Sequence, residues 1–198
     1  MKFINFKGLF IALTLLLTSA FSKDIVLVNQ KILSDKVAER IELIGDELFE
    51  KSGIYVGIGL FDNLNGKNLK ETFGELDLKP PFAFLMLSKF EHKVEIFADN
   101  ETLKLFNKEG ILSPYPSSGS ILPILTSKNG KDIYNAAMLN GYADLAEQIA
   151  SSKRIKLENA LGSSNKIFLE IIRFFVYGSI VLVIVVMSFK KFRNKNAR

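Results

Sequence analysis

The chain has no cysteine, no tryptophan and a single histidine, His92. Without cysteine there is no disulfide framework, no thiolate metal site, no cysteine nucleophile and no lipid-modified cysteine. One imidazole rules out a histidine-rich metal site. Proline is scarce, 5 in all, and three of these (Pro114, Pro116 and Pro123) fall in one stretch, which therefore reads as a loop. What is present is ordinary for a globular chain of 198 residues: 48% apolar and 24% charged. That balance excludes a disordered polymer and a multi-pass membrane protein.

The formal charge of +5 is a matter of position. Residues 23–166 hold 18 of the 26 Lys and Arg but 20 of the 21 Asp and Glu. The basic excess lies in Lys2, Lys7, Arg173, Lys190, Lys191, Arg193, Lys195 and Arg198, against Glu170 alone. A nucleic-acid footprint would run across the folded part. These residues instead border two apolar runs, as membrane-topology signals do. No nucleic-acid partner is expected.

Residues 1–22 read as a signal peptide. Lys2 and Lys7 precede the apolar stretch Gly8 to Leu17, and Thr18 to Ser22 supplies small residues. Ala20 and Ser22 fit the cleavage rule, with cutting after Ser22 or after Ala20. Residues 169–189 read as a transmembrane helix. Phe174 to Phe189 carries no charge, and with Ile171 and Ile172 the run spans about 28 Å, enough for a hydrocarbon core. Arg173 sits at its rim, where a long stem can snorkel. Gly178 beside Ser179 would let another span pack closely. The tail, residues 190–198, holds Lys190, Lys191 and Arg193 and no acid, which places it in the cytoplasm. Both signals agree on a single-pass protein whose domain lies outside the membrane. In a bacterium that means an inner-membrane anchor with a periplasmic domain and the lipid bilayer as a partner.

The domain is expected over 23–152, with 153–168 as a polar juxtamembrane linker. Leu33, Val37, Ile41, Ile44 and Leu48 form one stripe of an amphipathic helix, with Ser34 as N-cap and Gly53 as stop. Ile54 to Phe61 reads as a buried strand, in which Gly57 and Gly59 share a face that a helix could approach. Asp62 to Gly66 is a turn, and Leu64 stands where a calcium loop would need an oxygen ligand. Asn68 to Leu78 predicts a short helix. Phe82 to Leu87 is continuously apolar, as in a strand covered on both faces. Lys93 to Phe97 alternates, and the two strands form a hairpin. Asn100 to Lys108 predicts a short helix stopped by Gly110. Lys131 to Ala150 predicts a long one, striped by Tyr134, Met138, Tyr142, Leu145 and Ile149. The order predicts an α/β fold, a small mixed β-sheet sandwiched by helices.

Taken in order, these segments resemble the TPM domain family, extracytoplasmic domains many of which carry a signal peptide and one C-terminal span. The entry Val28-Asn29-Gln30-Lys31-Ile32-Leu33-Ser34, the step Glu50-Lys51-Ser52-Gly53-Ile54, the hairpin of Phe82 to Leu87 with Lys93 to Phe97, and the closing Ser118-Gly119-Ser120-Ile121-Leu122-Pro123 before Tyr134 carry the likeness. It covers about residues 25–152. The resemblance implies a TPM-like fold and, since some members bind calcium and a plant relative has been linked to acid phosphatase activity and photosystem repair, a calcium-dependent alternative. Gln30, Phe90-Glu91-His92 and Lys79-Pro80-Pro81 depart from the family at positions where it carries an entry Asp, charged turn residues and an Asn-Asn-Gly.

No nucleophile elbow, phosphate loop or metal-spaced histidine pair is present. His92 falls in a turn beside Glu91 and Lys93, more simply a surface residue than a catalytic one. A carboxylate-only divalent site needs three or more converging oxygens, and Asp62 and Asp99, which both follow strand ends, could share one edge of the sheet to supply them. The leading expectation is a membrane-anchored, non-enzymatic binding or assembly module for a membrane protein complex, with no cofactor. The alternative is a divalent-metal, calcium-dependent phosphatase-like hydrolase built on Asp62 and Asp99.

Overall fold

The computed structural model describes residues 24–127 and 132–161. The signal peptide, the apolar run at 169–189, the tail and the residues Arg173, Gly178, Lys190, Lys191 and Arg193 lie outside the described residues. Among the described residues no helix is long and apolar enough to cross a membrane.

The fold is α/β. A four-stranded mixed sheet runs in the order β1 (Val26–Asn29), β2 (Tyr55–Phe61), β3 (Phe82–Ser88) and β4 (Lys93–Ala98). β1 and β2 are parallel, as are β2 and β3; β3 and β4 form the antiparallel hairpin. Around the sheet lie α1 (Asp35–Ser52), α2 (Leu69–Gly74), a 3-10 turn (Thr102–Leu105), α3 (Lys108–Ile111), α4 (Leu122–Leu125) and α5 (Ile133–Ser152).

The apolar patterns explain this arrangement. β3 is interior and buried at all seven positions, as its unbroken apolar run requires. Val56, Ile58 and Leu60 of β2 align with Ala83, Leu85 and Leu87 of β3, and all six are buried. α1 turns Ile41, Ile44 and Leu48 inward, each fully buried and each worth roughly 1.5–3 kcal/mol relative to exposure. It stops at Gly53, whose φ of 71° is left-handed, as a C-terminal glycine should be. Ser34 holds the N-cap position without a side-chain cap bond; its backbone amide donates to Asn135 of α5.

Several local expectations are corrected. β1 was not evident in the sequence, since four residues are too few to establish an alternation. The face of Gly57 and Gly59 is covered by side chains of the sheet itself. A Cβ at Gly57 would lie 2.6 Å from the Tyr55 hydroxyl and 2.7 Å from the Phe84 ring. Gly110 does not stop a helix. Residues 102–105 form a 3-10 turn, and Gly110 lies within α3, where its amide is capped by Asn107. The segment after α5 is not wholly a polar linker, because Leu157 is buried against the domain.

α2 opens with a capping box in which Asn68 and Glu71 satisfy each other's backbone amides. Its Phe73 ring stacks on Phe97 of β4 at 4.3 Å and tilts against Phe82 and Phe84 of β3. Phe84 and Phe97 are register partners, so these rings form one aromatic layer on one face of the hairpin.

Candidate functional site

The parallel strands β1, β2 and β3 end together, at Asn29, Phe61 and Ser88. In open α/β sheets this is the end where loops collect functional groups. Here the Gln30 side chain accepts the Asp62 amide at 2.7 Å. The Asp62 carboxylate pairs with Lys89 at 3.3 Å, and the Lys89 ammonium sits 5.8 Å from the Tyr134 ring centre. Both partners of that ion pair are well exposed, so it contributes less than about 1 kcal/mol. The Ser88 hydroxyl donates to Glu91, whose other oxygen accepts the Leu64 amide at 3.1 Å. The Ser88 bond, reinforced by the Leu64 amide, holds the Glu91 carboxyl below its ordinary value. Glu91 therefore staples the loop after β2 to the hairpin turn.

Asp62 and Asp99 do not share an edge. Asp62 follows β2, whose last residue lies beside Ser88; Asp99 follows β4, whose last residue lies beside Ala83. The antiparallel hairpin reverses the chain, so the two carboxylates stand at opposite ends of β3, about 20 Å apart at strand rise. Asp99 acts as a local cap. It accepts the amides of Phe82 at 2.8 Å, Glu101 at 3.0 Å and Thr102 at 3.1 Å. Burial pushes its carboxyl up, and the hydrogen bonds from Thr102, Phe82 and Glu101 together bring it below the usual value. Among the described residues, no group of three or more His, Asp or Glu side chains could hold a metal ion. Ser88 bonds Glu91, and His92 sits in the turn with a positive φ of 50°.

The free edge of β4 borders a groove of about 500 Å³. Val94, Phe97, Leu69 and Leu122 supply its apolar surface, and Lys70, His92 and Lys93 its polar rim. Glu95 also lines it, but its carboxylate is occupied: it pairs with Lys108 at 2.7 Å and accepts the Ile96 amide at 2.9 Å. The sequence reading missed this groove. The alternation of Lys93 to Phe97 identified a half-buried strand, which was the available signal for an edge. Only the sheet order shows that no fifth strand among the described residues covers it.

In the last turns of α1 Glu47 is buried, with an exposure of 8%. It accepts the amides of Glu158 at 2.6 Å and Asn159 at 2.7 Å, and the Lys51 ammonium at 2.7 Å. Lys51 also donates to the Lys156 carbonyl. Burial by itself raises the Glu47 carboxyl; the Lys51 and backbone bonds outweigh it and bring the pKa down to about 2. The chain leaving α5 is thus clasped to α1.

No protein-family model matches the chain, and no curated protein matches it.

Proposed function

We propose that this chain is a single-pass, membrane-anchored protein whose extracytoplasmic α/β domain binds and helps assemble a membrane protein complex, without catalysing a reaction. The observation that carries the reading is the placement of the two apolar runs. Each is bordered by lysine or arginine, and between them lies a domain with a slight acidic excess. Within the domain four acids have structural partners. Glu47, Glu91 and Asp99 accept backbone amides, and Asp62 sits in an exposed ion pair. The resemblance of the segment order to the TPM domain family adds support, as does a strand edge that no other strand among the described residues covers, beside a groove.

Three measurements test it. Protease added to spheroplasts should digest the domain and spare the last nine residues; the reverse pattern overturns the orientation. Photo-crosslinkers placed over the domain surface of the full chain should trap a membrane protein partner. Calcium-dependent phosphatase turnover that Asp62→Asn or Asp99→Asn abolishes would overturn the non-enzymatic reading.

A further inference from the structure

Among the described residues β4 is the edge strand, and half its backbone pairs with no other strand. The Asp99 amide donates to the Phe82 carbonyl, so the hydrogen-bonded pairs of the hairpin are Phe82 with Asp99, then Phe84 with Phe97, Met86 with Glu95 and Ser88 with Lys93. The backbone groups of Val94, Ile96 and Ala98 therefore point away from the sheet. The Ile96 amide confirms the direction, because it is met by the Glu95 side chain rather than by a strand. Such an edge is a template for another strand unless it is guarded. Here the guard is one carboxylate, Glu95, itself drawn toward Lys108.

The groove beside this edge has two unlike walls. Lys93, Glu95 and Phe97 share a face of β4, where Lys108 offsets the Glu95 charge, and α2 packs on that face through Phe73 and brings Lys70 with it. Lys70 and Lys93 are exposed, and neither forms an ion pair among the described residues. The other wall, with Val94 and Leu122, is apolar. A strand laid along β4 would turn alternate side chains to the two walls. Charge complementarity sets the first series as acidic, and the apolar surface sets the second.

We propose that the β4 edge receives an extended peptide segment of a partner protein, alternating acidic and apolar side chains, as a fifth strand. Main-chain hydrogen bonds would supply the affinity, and the two walls the choice of sequence. This deepens the binding reading above and rests on it.

The test uses the full chain in uncharged detergent micelles and a fluorescein-labelled decapeptide alternating Glu and Val. Binding is expected by fluorescence anisotropy, weakening as salt is raised. The Lys and Val counterpart should bind about tenfold more weakly or worse. N-methylation of alternate peptide amides should abolish binding, since it removes the strand's donors. Lys70→Glu with Lys93→Glu, both exposed positions, should reverse the preference between the two peptides without altering the circular dichroism. Absence of binding, equal binding of both peptides, or binding indifferent to N-methylation overturns the proposal, as does a homodimer crosslinked through position 93. If the peptide fails while the photo-crosslinkers still trap a partner elsewhere on the domain, the strand-edge site falls and the binding module stands.

Discussion

The hydroxyl of Tyr142 donates to the carbonyl of Val56 at 2.7 Å, across 86 residues of chain and in a fully buried position. It ties α5 to β2. Gly45 of α1 makes the contact possible, since a Cβ there would collide with the same hydroxyl and with Ile25. Burial holds the Tyr142 phenol well above its ordinary pKa, so it remains a donor throughout the working range of pH. Tyr142→Phe should cost about 1–2 kcal/mol by leaving the carbonyl unmet. Urea unfolding should show a lower midpoint with an unchanged slope. Gly45→Ala should cost about 1–3 kcal/mol by overpacking the same spot.

Glu47 links α1 to the chain beyond α5. Its folded carboxyl, at about 2, lies below its ordinary 4.5, so its stabilisation is present above about pH 4.5 and is lost as pH falls toward 2. Glu47→Gln should cost about 2 kcal/mol and flatten that acid limb. It should also free the segment after α5. Trypsin is expected to cut at Lys153, Arg154 and Lys156 in the variant well before it does so in the parent.

Phe73 reaches three rings of the hairpin and stacks on Phe97 with an interplanar angle of 10°. Phe73→Leu keeps an apolar side chain but loses the ring pairing. The expected loss is about 1 kcal/mol, and a double-mutant cycle with Phe97→Leu should recover most of it as coupling.

Ser88 is fully buried, and its hydroxyl is the main cause of the low Glu91 carboxyl. Ser88→Ala should move the Glu91 titration, followed by carboxyl NMR, up toward its ordinary 4.5. In the parent, the contribution of Glu91 to stability is present above that ordinary value and fades as pH drops through the lowered one; in the variant this dependence should weaken, with the Leu64 amide retaining part of it. An unmoved Glu91 titration would assign the shift to the Leu64 amide instead.

The sequence by itself determined the elements whose period is long or whose composition is extreme. α1 and α5 were legible from stripes of spacing three and four, β3 from an unbroken apolar run, and the hairpin from the turn that follows it. These are local signals, because side-chain direction repeats along each element. Tertiary structure decided what lies beside what. β1 is recognisable only once it pairs with β2, and α3 and α4 are single turns without a period of their own. Asp62 and Asp99 look alike in the sequence, each following a strand, yet one antiparallel pairing sends them to opposite ends of the sheet. Glu47 looks like one more exposed acid of an amphipathic helix, and only the return of residues 158 and 159 buries it. The β4 groove likewise depends on α2, α4 and an edge that come together from distant parts of the chain. Periodicity is written in neighbouring residues, whereas strand order and long-range closure depend on which apolar faces cover one another, and no local window contains that information.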